Sequence, residues 1–183
     1  PKSDSFLRKH WQQDWPHELK QELIQLREIY RHAKIDFGIG LSPYEIYLDN
    51  TGKNRTALHN RIKQINELAP EILCLLFDDM RGDLPDLAKI QIDLMHQVAD
   101  ISTAKHIIFC PTYYSFDPVL EKVFGKMPDD YWQTLNQSLD KKIDIFWTGE
   151  KVCSANYSNS HLQSVNDLLG RKPFLWDNYP VND

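Results

Sequence analysis

Short apolar runs alternate with longer amphipathic stretches along most of the chain, and that alternation predicts an α/β fold. Ile35 to Leu41, Ile72 to Phe77, Lys105 to Cys110, Ile143 to Trp147 and Pro173 to Trp176 are brief and closed by loop-forming residues, so each predicts a strand. Ile72 to Phe77 is too short and too apolar for a surface helix and reads as a buried parallel strand. Pro16-His17-Glu18 opens a helix that carries Leu19, Leu23, Leu26 and Tyr30 at helical spacing and ends near Ala33. Asn54 to Ala69 places Leu58, Ile62, Ile65 and Leu68 on one stripe, and Asp86 to Thr103 turns Leu87, Ile90, Leu94 and Val98 inward. Two further helices are expected at Asp129 to Leu139, with Tyr131, Trp132 and Leu135 as the apolar face, and at Ser160 to Leu169, ended by Gly170. The stretch before Pro16, polar apart from Trp11 and Trp15, reads as a loop leaving a strand that precedes the sequence. Gly38 and Gly40 suggest close packing or close approach of backbone to a ligand.

Strand and helix in strict alternation imply a parallel sheet with right-handed crossovers. A doubly wound sheet and a barrel both fit. The glycine fingerprints that cradle phosphates in the doubly wound folds are absent, which favours the barrel. A complete eight-unit barrel takes about 250 residues. The 183 residues are therefore expected to be one domain segment of an incomplete (β/α)8 TIM-type barrel, from about the end of strand 2 through strand 7. Such a segment exposes sheet edges and apolar helix faces, so residues 1 to 183 are not expected to fold and act alone.

Composition narrows the partners. Hydrophobic residues make up 42% of the chain, enough for a sizeable core. A net charge of -5, from 26 acids and 21 bases spread evenly, offers no basic stripe for nucleic acid and no polybasic patch for a membrane. No apolar run approaches a membrane span, and the first residues lack the layout of a signal peptide. Asn54-Arg55-Thr56, Asn136-Gln137-Ser138 and Asn156-Tyr157-Ser158 fit the glycosylation pattern, which is common by chance, so the compartment stays open. Three cysteines, Cys74, Cys110 and Cys153, are too few and too scattered for a disulfide framework, and no His or Cys spacing suggests a metal.

The candidate chemistry begins at Asp78-Asp79, where the run Leu75-Leu76-Phe77 stops at two adjacent carboxylates. Carboxyl ends of parallel strands are where ligands bind in α/β folds. Two acids crowded in a desolvated site differ in proton affinity, and one of them then serves as a general acid near neutral pH. The plainer alternative is that Asp78 closes the strand while Asp79 caps the next helix or pairs with Arg81. The other strand ends bring Ser42-Pro43, Tyr113-Tyr114, Thr148-Gly149 and Trp176-Asp177-Asn178. Carboxylates, aromatic faces and amides around one mouth suit a carbohydrate, because rings cover its apolar face while acids and amides bond its hydroxyls. Cys110 and Trp176 also read as core, and Asn178 and Asp183 as turn residues beside Pro180.

Four stretches, Leu75-Leu76-Phe77-Asp78-Asp79, Cys110-Pro111-Thr112-Tyr113-Tyr114, Trp147-Thr148-Gly149-Glu150-Lys151-Val152 and Trp176 through Asp183, together resemble the family 84 glycoside hydrolases, a family that includes protein O-GlcNAcases and hyaluronidase-like bacterial enzymes. The resemblance runs from Pro1-Lys2 to the last residue. It implies a retaining exo-β-N-acetylglucosaminidase without metal or cofactor, acting on a glycan or glycoprotein that bears N-acetylglucosamine. In such an enzyme the sugar's own acetamido oxygen is the nucleophile, an exception to the two-carboxylate scheme of most glycosidases. By that resemblance Asp78 orients the acetamido group and Asp79 is the general acid and base. Cys110, Tyr114, Thr148, Val152 and Trp176 line the acetamide pocket, Asn178 and Asp183 hold the sugar, and Lys2 matches a sugar-contacting lysine. Tyr113 stands where the family pattern has Glu, and Glu150 where it has Pro, which bears on loop shape and leaving-group contacts. The family's first strand and last unit have no counterpart here. Two other readings remain: a catalytically silent N-acetylglucosamine-binding module, and a barrel enzyme of other chemistry such as a metal-dependent hydrolase.

Overall fold

Residues two apart on short strands and three or four apart on helices provide the buried apolar faces, as their geometry requires. The computed structural model describes residues 4–48 and 52–178. Helices and strands alternate as α1 (His17–His32), β1 (Gly38–Leu41), α2 (Gly52–Glu67), β2 (Ile72–Leu76), α3 (Leu87–Ile101), β3 (His106–Cys110), α4 (Val119–Phe124), α5 (Tyr131–Ser138), β4 (Asp144–Trp147), α6 (Asn159–Leu169) and β5 (Phe174–Leu175). The chain divides into two compact units, the first from residues up to Leu76 with Gln97–Ile107, the second from Phe77–His96 with residues from Ile108 onward.

In the first unit β1 and β2 run parallel, in register from Gly38 opposite Ile72 to Leu41 opposite Leu75. The two glycines of β1 serve close packing: a Cβ on Gly38 would sit 3.3 Å from the Ile72 Cβ, and one on Gly40 3.2 Å from Leu76 Cδ1. Ile39, Leu41, Leu73 and Leu75 are buried, and α2 adds Leu58, Ile62 and Ile65. The Glu71 carbonyl accepts the N–H groups of Lys105 and His106, which starts β3 beside β2. The described part of the stretch expected to be a leading loop is irregular apart from a 3-10 turn at Ser5–Leu7, and it is packed. Trp11 and Trp15 are buried, and the buried Arg61 of α2 donates from Nε to the Trp11 carbonyl at 2.9 Å while its guanidinium lies 4.6 Å above the Trp15 ring. Helix α1 matches its expected bounds but buries none of its residues. Its ties to the α2–β2 connection are largely polar, from Arg27 to Glu71 and the Ala69 carbonyl and from Lys20 to Glu67.

In the second unit β3 pairs with β4 (Ile108 opposite Asp144) and β4 with β5 (Trp147 opposite Leu175), again all parallel. Helix α5 buries Tyr131, Trp132 and Leu135 as expected, and α6 buries His161, Val165 and Leu169. Ser158 caps α6 by accepting the His161 N–H at 3.1 Å, and Gly170 ends it with φ +62°. The six-residue α4 was absent from the expected elements. Within this unit the strand order β3-β4-β5 follows chain order. The fold is mixed α/β with parallel strands.

Candidate active site

All the described residues of the expected site belong to the second unit. Three backbone hydrogen bonds align the segments that carry them: Phe77 N–H to the Cys110 carbonyl (2.9 Å), Thr148 N–H to the Tyr114 carbonyl (3.0 Å) and Trp176 N–H to the Trp147 carbonyl (2.9 Å). Parallel strands that end in such a ladder present their last side chains to a common edge.

Asp78 is 2% exposed and Asp79 is half-buried. The next helix, α3, begins only at Leu87, so Asp79 does not cap it, and Arg81 forms an ion pair with Asp83. Tyr114 is 8% exposed, and its phenol is held well above the ordinary tyrosine value, first by burial and then by the Asp78 carboxylate, Cys110 and the Asp79 carboxylate. That ordering places Tyr114 within the fields of both acids. Its ring centroid lies 5.7 Å from that of Trp176, at 42° between planes. Cys110 is fully buried at the end of β3.

The segment after β4 folds back on itself. Thr148 Oγ1 donates to the Lys151 carbonyl at 2.9 Å, so Thr148 presents shape and a methyl group rather than its hydroxyl proton. Gly149 adopts φ +103°, where a Cβ would collide with the Ser154 hydroxyl. Val152 is held from both sides: its N–H donates to Asp117 Oδ2 at 3.2 Å and its carbonyl accepts from Asn178 Nδ2 at 3.1 Å. Asp117 also accepts the Val119 N–H through Oδ1 at 3.1 Å. Burial raises the proton affinity of Asp117, but these two N–H donors and the nearby Lys151 and Lys122 outweigh it, and its carboxyl lies below the usual range. A cavity of about 510 Å³ beside this loop is lined by Cys153, Ser154, Ala155, Tyr157 and Asp177.

Asp78, Asp79, Cys110, Tyr114 and Trp176 thus gather along one edge, and Thr148, Val152 and Asn178 join them through the Tyr114 carbonyl and the Val152 peptide. Lys2 and Asp183 lie outside the described residues. Tyr113 points away into the core: it is 2% exposed, its hydroxyl donates to the Gly125 carbonyl at 2.5 Å, and burial above all pushes its phenol up to about 12. Glu150 Oε1 lies 3.7 Å from Nδ1 of the buried His161, whose Nε2 accepts the Trp147 indole N–H at 3.0 Å. Among the described residues, no group of three or more His, Cys, Asp or Glu could hold a metal ion, and no helix is long and apolar enough to cross a membrane.

Comparison with known proteins gives the family. A family model described as beta-N-acetylglucosaminidase matches residues 1–183. The chain belongs to this family, the family 84 glycoside hydrolases. It is 25% identical over 192 residues to protein O-GlcNAcase from Rattus norvegicus and, to the same extent, from Mus musculus. All of this chain and 21% of each relative are covered, so the chain spans about a fifth of their length. Among solved structures, a variant of the O-GlcNAc hydrolase of Thermobaculum terrenum superposes with a TM-score of 0.81 at 32% identity, over 100% of this chain and 40% of that one. Sequence reasoning did not single out Asp117. Asp117 sits in Ser115-Phe116-Asp117-Pro118, which looks like any turn before a proline, and only the short α4 behind it gives it a role.

Proposed function

We propose that this chain is a segment of the single catalytic domain of a retaining exo-β-N-acetylglucosaminidase of the O-GlcNAcase kind, built on a (β/α)8 barrel. The order β3-β4-β5 in the second unit follows chain order without reversal, which supports a barrel, since a doubly wound sheet has a switch point. The observation that carries the functional reading is the placement of two adjacent carboxylates, one buried and one half-buried, around Tyr114 and Trp176 in a chain matched end to end by the family.

Asp78 accepts the acetamido N–H of the bound sugar and increases the electron density on its carbonyl oxygen. That oxygen attacks the anomeric carbon as the glycosidic bond breaks, and Asp79 gives its proton to the leaving oxygen. The product of this step is the protonated oxazoline, an oxazolinium ion that keeps its N–H and whose positive charge is offset by the Asp78 carboxylate. Water then adds at the anomeric carbon, losing its proton to Asp79, and the oxazoline opens to give N-acetylglucosamine with its β configuration retained. Tyr114, Cys110, Thr148, Val152 and Trp176 enclose the acetamide methyl. Asn178, whose amide nitrogen is committed to Val152, meets a sugar hydroxyl through its oxygen, Asp183 bonds the 4- and 6-hydroxyls, and Lys2 contacts the sugar. The substrate is a glycan or glycoprotein with terminal β-linked N-acetylglucosamine.

Leaving-group dependence separates the roles of the two acids. In Asp79→Ala, kcat/KM for a substrate with an alkoxide leaving group falls about 10²- to 10⁴-fold, while kcat/KM for an activated aryl glycoside, whose first step needs no proton, falls far less. In Asp78→Ala both fall alike, by about 10²- to 10³-fold. Equal losses in the Asp79 variant contradict the assignment. A folded parent that binds N-acetylglucosamine without turning over either substrate is a binding module.

A further inference from the structure

A fully buried polar chain in the second unit ends on the peptide that carries Asp78. Gln91 of α3, Thr112 after β3 and Tyr131 of α5 are each 0% exposed. The Tyr131 hydroxyl donates to Gln91 Oε1 at 2.5 Å, Gln91 Nε2 donates to Thr112 Oγ1 at 2.8 Å, and Thr112 Oγ1 donates to the Phe77 carbonyl at 3.0 Å. The direction is fixed by proton count. Thr112 has one hydroxyl proton, and once that is given to Phe77 its oxygen must be met by a donor. The amide nitrogen of Gln91 is that donor, and the amide oxygen then takes the Tyr131 proton. The Phe77 carbonyl also accepts the Met80 N–H at 2.9 Å, and the Phe77 N–H is held by Cys110.

Core packing alone does not call for this arrangement. Three apolar side chains of similar volume would fill the same space without the desolvation cost of an amide and two hydroxyls. What the polar chain adds is a fixed rotation of the Phe77–Asp78 peptide plane, and so a fixed direction in which the Asp78 side chain leaves the backbone. We infer that Gln91 and Thr112 are positioning residues that aim the Asp78 carboxylate at the acetamido group, with Tyr131 orienting the Gln91 amide. The inference rests on the proposed role of Asp78. A carboxylate that must meet one N–H in a reacting geometry tolerates only about half an ångström of play.

The test compares Thr112→Val, which removes the hydroxyl at constant volume, with Thr112→Ser, which restores it, in the full-length protein. Gln91→Glu is a third variant: its carboxylate accepts only, so it draws the Thr112 proton away from Phe77. A fourth, Val165→Ala, makes a cavity in the buried face of α6 without removing any member of the polar chain and serves as a stability control. In Thr112→Val and Gln91→Glu, kcat falls roughly 10- to 100-fold, equally for activated and unactivated leaving groups, because the acetamido nucleophile is misaimed and the acid is untouched. Thr112→Ser recovers most of that loss, and Val165→Ala keeps the parent kcat although it melts lower. Independently of turnover, the carboxyl ¹³C resonance of Asp78, assigned with Asp78→Asn, shifts in Thr112→Val without substrate and returns in Thr112→Ser. An unmoved Asp78 resonance overturns the inference. So does a kcat loss that Thr112→Ser fails to recover or that Val165→Ala reproduces. If the folded parent has no glycosidase activity, the functional reading fails, and the Asp78 resonance still decides whether the chain of hydrogen bonds positions that carboxylate.

Discussion

Asp78 and Asp79 are neighbours in sequence and differ in surroundings: the first is almost fully enclosed, the second opens partly to solvent. An enclosed carboxylate suits a fixed partner such as an amide N–H, and a half-open one suits successive exchange of protons with a leaving group and with water. Buried tyrosines of the same unit carry a different constraint. Burial, first of all, raises the phenols of Tyr113, Tyr114 and Tyr131 above the ordinary value of 10.0. A group whose folded value is raised keeps its proton while the unfolded chain loses it, so the stabilisation is complete below pH 10 and is lost as pH rises beyond it. Tyrosinate absorbance at 295 nm is therefore expected to appear in two stages, exposed phenols first and these three only with unfolding; a single smooth titration in folded protein would contradict their burial. At this scale the sequence already marked the acids, Tyr114 and Trp176, because charged and aromatic residues at the ends of apolar runs stand out. Gln91 and Thr112 did not stand out, since a lone amide in an amphipathic helix acquires its meaning only from neighbours across space.

Among the elements, the legible ones were those with a strong periodic face. Helices α2, α3, α5 and α6 lie within about three residues of their expected ends, the usual margin of boundary assignment. The stripe on α1 formed a helix but not a buried face, because periodicity shows amphipathicity and not what covers it. Helix α4 was missed: six residues are too few for a period to register. Its approach nevertheless shapes the site, since Asp117 ties the start of α4 to the Val152 loop through two N–H groups. Replacing Asp117 by Ala releases both donors and is expected to cost about 1–2 kcal/mol of stability, read from the denaturation midpoint. Because Val152 belongs to the proposed acetamide pocket, KM should rise more than kcat falls. A variant as stable as the parent with an unchanged KM would remove Asp117 from the account.

For the whole molecule, alternation of strand and helix was enough to give the α/β class, and four short stretches were enough to give the family. Neither strand register nor the hydrogen-bonded ladder at the strand ends could be read from the chain, since both depend on contacts between segments far apart in sequence. The central claim is that the sugar's own acetamido oxygen is the nucleophile, with Asp78 aiding it and Asp79 transferring protons. The most direct measurement is kcat/KM for a series of aryl β-glucosaminides whose N-acetyl group carries zero, one, two or three fluorines. Fluorine withdraws electrons from the carbonyl oxygen, so the account predicts a steep, progressive fall across the series. A nearly flat series in an active enzyme would mean that a group on the protein attacks the anomeric carbon, and would contradict it.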